Sequence, residues 1–118
     1  PQPRDERMHW TYLTLAIVLE VIGTTALKLS DGLNRLVPTV LMFGCYGLAF
    51  WCNAMALRRL DLSVTYAIWS GVGTAALAVI GMTWLKEPVN AMKIGSIALI
   101  LLGVVGLHLS TTTAQAAQ

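Results

Sequence analysis

Apolar residues fill four long stretches of this chain, and polar residues are confined to the gaps between them. No charged residue occurs from Leu36 to Leu57 or from Leu62 to Leu85. Each stretch is close to the roughly 20 residues an α-helix needs to cross a bilayer core. The pattern predicts helices over about His9–Lys28, Val37–Leu57, Leu62–Leu85 and Ala91–Leu109. Ser30-Asp31-Gly32 and Asn34 supply turn chemistry after the first helix, and Pro38 is tolerated in the first turn of the second. Arg58-Arg59-Leu60-Asp61 makes a very short connection, with Ser63 as the expected N-cap of the third helix. Lys86-Glu87-Pro88-Val89-Asn90 separates the third helix from the fourth. The expected organisation is a polar N-terminal tail over 1–8, a four-helix transmembrane domain over 9–109 and a disordered polar tail over 110–118. Loops this short make consecutive helices antiparallel neighbours.

Composition agrees with the pattern. Of 118 residues, 56% are hydrophobic and only 12% charged, and the mean hydropathy is +0.67. That balance excludes an ordinary soluble domain. The first apolar run carries a central glutamate and lacks a small-x-small cleavage site, so it reads as a span and not as a cleavable signal. Cys45 and Cys52 fall seven apart on one helical face and read as small packing residues. His9 and His108 lie at opposite ends of the apolar block, so no metal site is indicated. A formal charge of +2 is too scattered for a nucleic-acid surface. No nucleophile–base pair or phosphate loop points to an enzyme, and no cofactor is implied.

Charge placement bears on orientation. The N-terminal tail, second loop and C-terminal tail share one side of the membrane and carry Arg4, Arg7, Arg58 and Arg59. The other side carries Lys28, Arg35, Lys86 and Lys93. The positive-inside rule then gives no preferred orientation, which predicts insertion both ways. With Met8 taken as the start, the bias would place the first and third loops in the cytoplasm.

Glu20 is the residue with the most to say about chemistry. A lone carboxylate at the centre of a span costs roughly 2.5–3.5 kcal/mol on insertion scales, so it reads as a proton or cation site. A protonated carboxyl packed between helices is the plainer alternative. Leu13, Ala16, Ile17, Glu20, Gly23, Thr24 and Leu27 share one side of the helix. Ala16, Gly23 and Thr24 are small, leaving room for a helix or a ligand, and Thr24 lies one turn from Glu20. In the third helix Tyr66, Trp69 and Gly73 share a face, and the Trp69 indole lies well inside the span. Aromatic ring faces attract cations by roughly 0.5–2 kcal/mol. Gly71 and Gly73 permit either a bend or the close approach of another helix. Tyr46 joins an aromatic stripe with Phe50 in the second helix. Ser96 and Gly103 fall seven apart on the fourth helix and suit a contact between copies. One copy has a single mid-span acid and too few helices to enclose a path; an antiparallel dimer would bring two such acids to the midplane.

These residues resemble a known family. Ala16-Ile17-Val18-Leu19-Glu20-Val21-Ile22-Gly23-Thr24-Thr25, with Lys28 and Ser30-Asp31-Gly32, looks like the first helix of the small multidrug resistance transporters. Tyr66-Ala67-Ile68-Trp69-Ser70-Gly71-Val72-Gly73 looks like their third, and Cys45-Tyr46-Gly47 with Phe50-Trp51 resembles their second. The resemblance implies an all-α, antiparallel (dual-topology) homodimer in the bacterial inner membrane that exchanges protons for cationic small molecules. It implies that Glu20 binds proton or substrate, that Tyr66 and Trp69 line the pocket, and that Ala16, Thr24, Tyr46 and Ser70 lie in or near it. The Tyr-Ala-Ile-Trp-Ser-Gly form is similar to the quaternary-ammonium branch. Asp61-Leu62-Ser63, where the best-known drug exporters have a Pro-x-Gly step, is similar to the polyamine-exporting paired members, which act as heterodimers. Two other readings stay open. One is narrow export of a polyamine, guanidinium or choline-like cation. The other is a non-transporting membrane subunit that uses Glu20 for helix pairing.

Overall fold

In the computed structural model, residues 3–117 are described, with side-chain surroundings for 7–111. The elements are α1 (Pro3–Leu29), α2 (Leu36–Ala56), α3 (Leu62–Thr83) and α4 (Ala91–Ala117). All four are long and apolar enough to cross a membrane, over Arg7–Leu29, Leu36–Ala56, Leu62–Thr83 and Ala91–Thr111. No strand occurs among the described residues. The chain divides at Asp61–Leu62 into two compact units, one holding α1 and α2 and the other α3 and α4.

Helix ends depart from the expected ones in physically readable ways. α1 starts at Pro3, inside the expected tail; proline suits a first helical position because its missing N–H would be unpaired there. α4 continues to Ala117, so residues 110–117 are helical where a disordered tail is expected. Ala and Gln are good helix formers, and the apolar span itself stops near Thr111. Helix propensity and membrane-crossing length are separate properties, and the charge-gap argument reads only the second. Ser63 lies inside α3, not before it, because the helix already begins at Leu62.

The α1–α2 turn is built around Ser30. Its hydroxyl donates to the Leu27 carbonyl (2.7 Å) and accepts from the Leu33 N–H (3.0 Å). Its carbonyl accepts from the Asn34 and Arg35 N–H groups at 2.9 Å each. Asp31, Gly32 and Leu33 all take left-handed backbone angles, which only glycine adopts without steric cost. The end of α3 is closed by Lys86, also left-handed, which lets the Glu87 N–H reach the Gly81 carbonyl at 2.8 Å. Asn90 caps α4, its side-chain oxygen accepting from the Lys93 N–H at 2.8 Å.

The first unit is packed along small and branched residues: Leu13, Ala16, Ile17, Val21 and Ala26 from α1, and Met42, Ala49, Cys52 and Ala56 from α2. Both cysteines are free thiols, Cys52 buried and Cys45 half-buried. In the second unit the contact side of α3 is notched by glycine. A Cβ on Gly71 would lie 2.6 Å from Val104 Cγ2 and 3.5 Å from Ile100 Cγ2 of α4. α3 runs unbroken through Gly71 and Gly73, and close approach is the role Gly71 visibly fills. No residue from Ala91 to Thr111 is buried.

Candidate functional site

Glu20 stands half-buried at the edge of the α1 stripe, beside fully buried Ala16 and buried Gly23. The expected side of α1 is largely the buried one, except that Leu27 turns outward and Val21 and Ala26 take part instead. One turn along, the Thr24 hydroxyl donates to Glu20 Oε1 at 2.8 Å. The same hydroxyl meets the Tyr46 hydroxyl of α2 at 2.5 Å. A threonine hydroxyl has one proton. With that proton on the Glu20 side, Tyr46 is the donor to Thr24. The three groups form a directed chain, Tyr46 to Thr24 to Glu20, that ties the mid-span acid of α1 to α2.

Gly23 makes the chain possible. A Cβ there would sit 2.7 Å from both Cδ1 and Cε1 of Tyr46, so only glycine lets the phenol ring lie against α1 within reach of Thr24. The sequence singles out Gly23 as small; the structure shows which ring needs the space. Tyr46 also packs its ring at 6.4 Å from Phe50, tilted by 53°. Nearer the start of α1, Tyr12 meets Trp51 edge to face at 5.7 Å, and His9 meets Tyr12 at 6.4 Å. The Tyr12–Trp51 pair joins α1 to α2 and has no signal in the sequence, because spacing along one helix does not encode register against another.

In the second unit Tyr66 and Trp69 pack edge to face, centroids 5.9 Å apart and planes at 85°. Tyr66 is 61% exposed and Trp69 partly buried. The Ser70 hydroxyl is exposed and donates back along its own helix to the Tyr66 carbonyl at 2.8 Å. Ser96 and Gly103 are exposed on α4, and a Cβ on Gly103 would have nothing within 4 Å. Ser96 lines a shallow open groove with Thr74, Leu77, Ala78, Glu87 and Lys93. The Lys93–Glu87 ion pair there is 4.0 Å long and partly exposed, a geometry of little energetic weight.

Two buried side-chain oxygens outside the expected set have no hydrogen-bond partner among the described residues, Asn53 Oδ1 and Thr65 Oγ1. Thr65 is 1% exposed. The threonine is hidden in sequence because most helical hydroxyls satisfy themselves on the preceding turn.

The four apolar spans agree with the comparisons. The family model described as Small Multidrug Resistance protein matches residues 8–100. The chain belongs to the small multidrug resistance family. It is 44% identical to multidrug resistance protein EbrA of Bacillus atrophaeus, over 84% of this chain and 94% of that protein. It is 39% identical to multidrug resistance protein mmr of Mycobacterium leprae, over 87% of this chain and 97% of that protein. It is 38% identical to the guanidinium exporter of Escherichia coli, over 88% of this chain and 99% of that protein. As a small multidrug resistance protein with four spans, the chain is a multi-pass bacterial membrane protein.

Proposed function

We propose that this protein is a proton-coupled antiporter that exports lipophilic and quaternary ammonium cations across the bacterial inner membrane. The observation that carries the reading is Glu20 in mid-span, hydrogen-bonded through Thr24 to Tyr46, in a chain similar to proteins named for multidrug resistance. A proton and a cation compete for one carboxylate, so coupling needs no second pocket. Arrival of a cation discharges the proton; departure of the cation restores the demand for one. A hydrogen bond to a charged acceptor is roughly twice as strong as a neutral one, so the Tyr46–Thr24–Glu20 chain changes strength with occupancy and passes the site's state from α1 to α2. Ala16 and Gly23 leave room beside the carboxylate. Tyr66 and Trp69 supply ring faces for the cation, with Ser70 next to them in sequence.

The working unit of this proposal is an antiparallel homodimer. The balanced Lys/Arg count supports insertion both ways. The bare face of α4 with Ser96 and Gly103 supports a helix-to-helix contact between copies, since small residues allow close approach in lipid. A second reading, export of a small cation such as guanidinium, is favoured by the likeness to the Escherichia coli guanidinium exporter.

The test is tetraphenylphosphonium movement in proteoliposomes under an imposed pH gradient. Wild type should transport and Glu20→Gln should not. Gradient-driven transport retained by Glu20→Gln would overturn the proposal.

A further inference from the structure

Thr65 lacks a bond that many helical hydroxyls of this chain make. Thr11, Thr14, Thr25, Thr39, Ser70 and Thr83 each donate their hydroxyl proton to the carbonyl four residues back, at 2.6–2.9 Å. Thr65 does not; its hydroxyl oxygen is sealed from solvent and without a hydrogen-bond partner. A buried hydroxyl left unpaired costs about 1–3 kcal/mol, so a helix has reason to keep such a group only where something else engages it.

Its place on α3 indicates what that is. At about 100° per residue, Thr65, Trp69, Gly73 and Tyr66 fall within roughly 100° of one another on the helix. Gly71, which meets Val104 of α4, lies roughly 120–160° away from Thr65, Tyr66 and Trp69. The hydroxyl therefore shares the helix face of the Tyr66–Trp69 aromatic pair and not the face that packs on α4. Ring faces attract any cation of suitable size. A hydroxyl oxygen adds a distinction they cannot make, because it accepts a hydrogen bond from N–H and receives none from a quaternary ammonium.

We propose that Thr65 is a specificity-determining residue that accepts a hydrogen bond from substrates carrying N–H groups, guanidinium and primary ammonium cations, and so separates them from quaternary ammonium cations at the same aromatic face. The proposal rests on the cation-binding reading above. It assigns Thr65 no part in proton exchange and none in holding the helices together. A site built to hydrogen-bond an N–H discriminates against ligands that lack it, because the buried acceptor is then left unpaired.

The test uses two probes with the same ring, benzylguanidinium and benzyltrimethylammonium, bound to purified protein in detergent. The variants are Thr65→Val, which keeps the shape and removes the hydroxyl, and Thr65→Ser, which keeps the hydroxyl. Thr65→Val should weaken benzylguanidinium about tenfold or more and leave benzyltrimethylammonium within about twofold. Thr65→Ser should bind both as wild type does. The melting temperature of Thr65→Val should be equal to or above that of wild type, since no protein partner is lost. Equal weakening of both probes, no change in either, or a fall in melting temperature that Thr65→Ser restores would overturn the proposal. Wild type that binds neither probe, or that binds both equally well after Glu20→Gln, would instead overturn the cation-site reading beneath it, and this inference with it.

Discussion

The two helix pairs are held by different physics. Between α1 and α2 a chain of hydroxyls ends on a carboxylate, with glycine making room for the ring that carries the first donor. Between α3 and α4 the close point is apolar: the bare backbone of Gly71 receives the Val104 and Ile100 side chains. Water is absent from a bilayer core, and lipid tails compete evenly with apolar side chains, so helices there associate through close packing and hydrogen bonds. The first pair combines both means, and the close point of the second is packing alone. A change of charge is therefore felt differently in the two pairs. Altering the charge on Glu20 alters the strength of the α1–α2 link directly, whereas the Gly71 notch carries no group that titrates.

Four substitutions probe the two pairs, the most disruptive first. Gly23→Ala should be the most damaging to the first pair. Its methyl would displace the Tyr46 ring, break the bond to Thr24 and lower both melting temperature and cation affinity, the latter about tenfold. An unchanged affinity would mean that Tyr46 does not act on Glu20. Gly71→Ala should destabilise the second pair by about 1–3 kcal/mol through overpacking, and a Val104→Ala companion should recover most of that loss in thermal melts. Failure of the companion to help would show that the notch is not where the strain arises. Tyr46→Phe removes one hydroxyl and should cost about 1 kcal/mol of stability. In a cycle with Thr24→Val the two losses should be non-additive by a comparable amount; simple additivity would break the proposed chain. Gly103→Ala should leave the single chain's own packing untouched, because nothing lies within 4 Å of the added atom. Any loss of stability should therefore depend on protein concentration in detergent, and a concentration-independent loss would remove Gly103 from the contact between copies.

The sequence makes different parts of this arrangement legible to different degrees. The four spans are plain, since two charge-free stretches and two nearly charge-free ones match the length of a bilayer crossing. The Glu20–Thr24 bond is also foreseeable, because residues four apart on a helix are neighbours. Tyr46 can be named as an aromatic of interest, but its hold on Thr24 cannot be foreseen. That bond depends on the axial register of α2 against α1, fixed by Gly23 and the buried alanines together. Helix ends are read less well, because Pro3 and the Ala-rich end of α4 satisfy helix propensity without belonging to a span. Thr65 is the hardest case. Threonine at its position looks like several others on these helices, and only its burial without a hydrogen-bond partner sets it apart.

The most direct test of the central claim is proton release from detergent-purified protein on addition of tetraphenylphosphonium, in wild type and in Glu20→Gln. Wild type should release protons as the cation binds, and the variant should release none. Cation binding by well-folded wild type with no proton released, or equal release from Glu20→Gln, would contradict it.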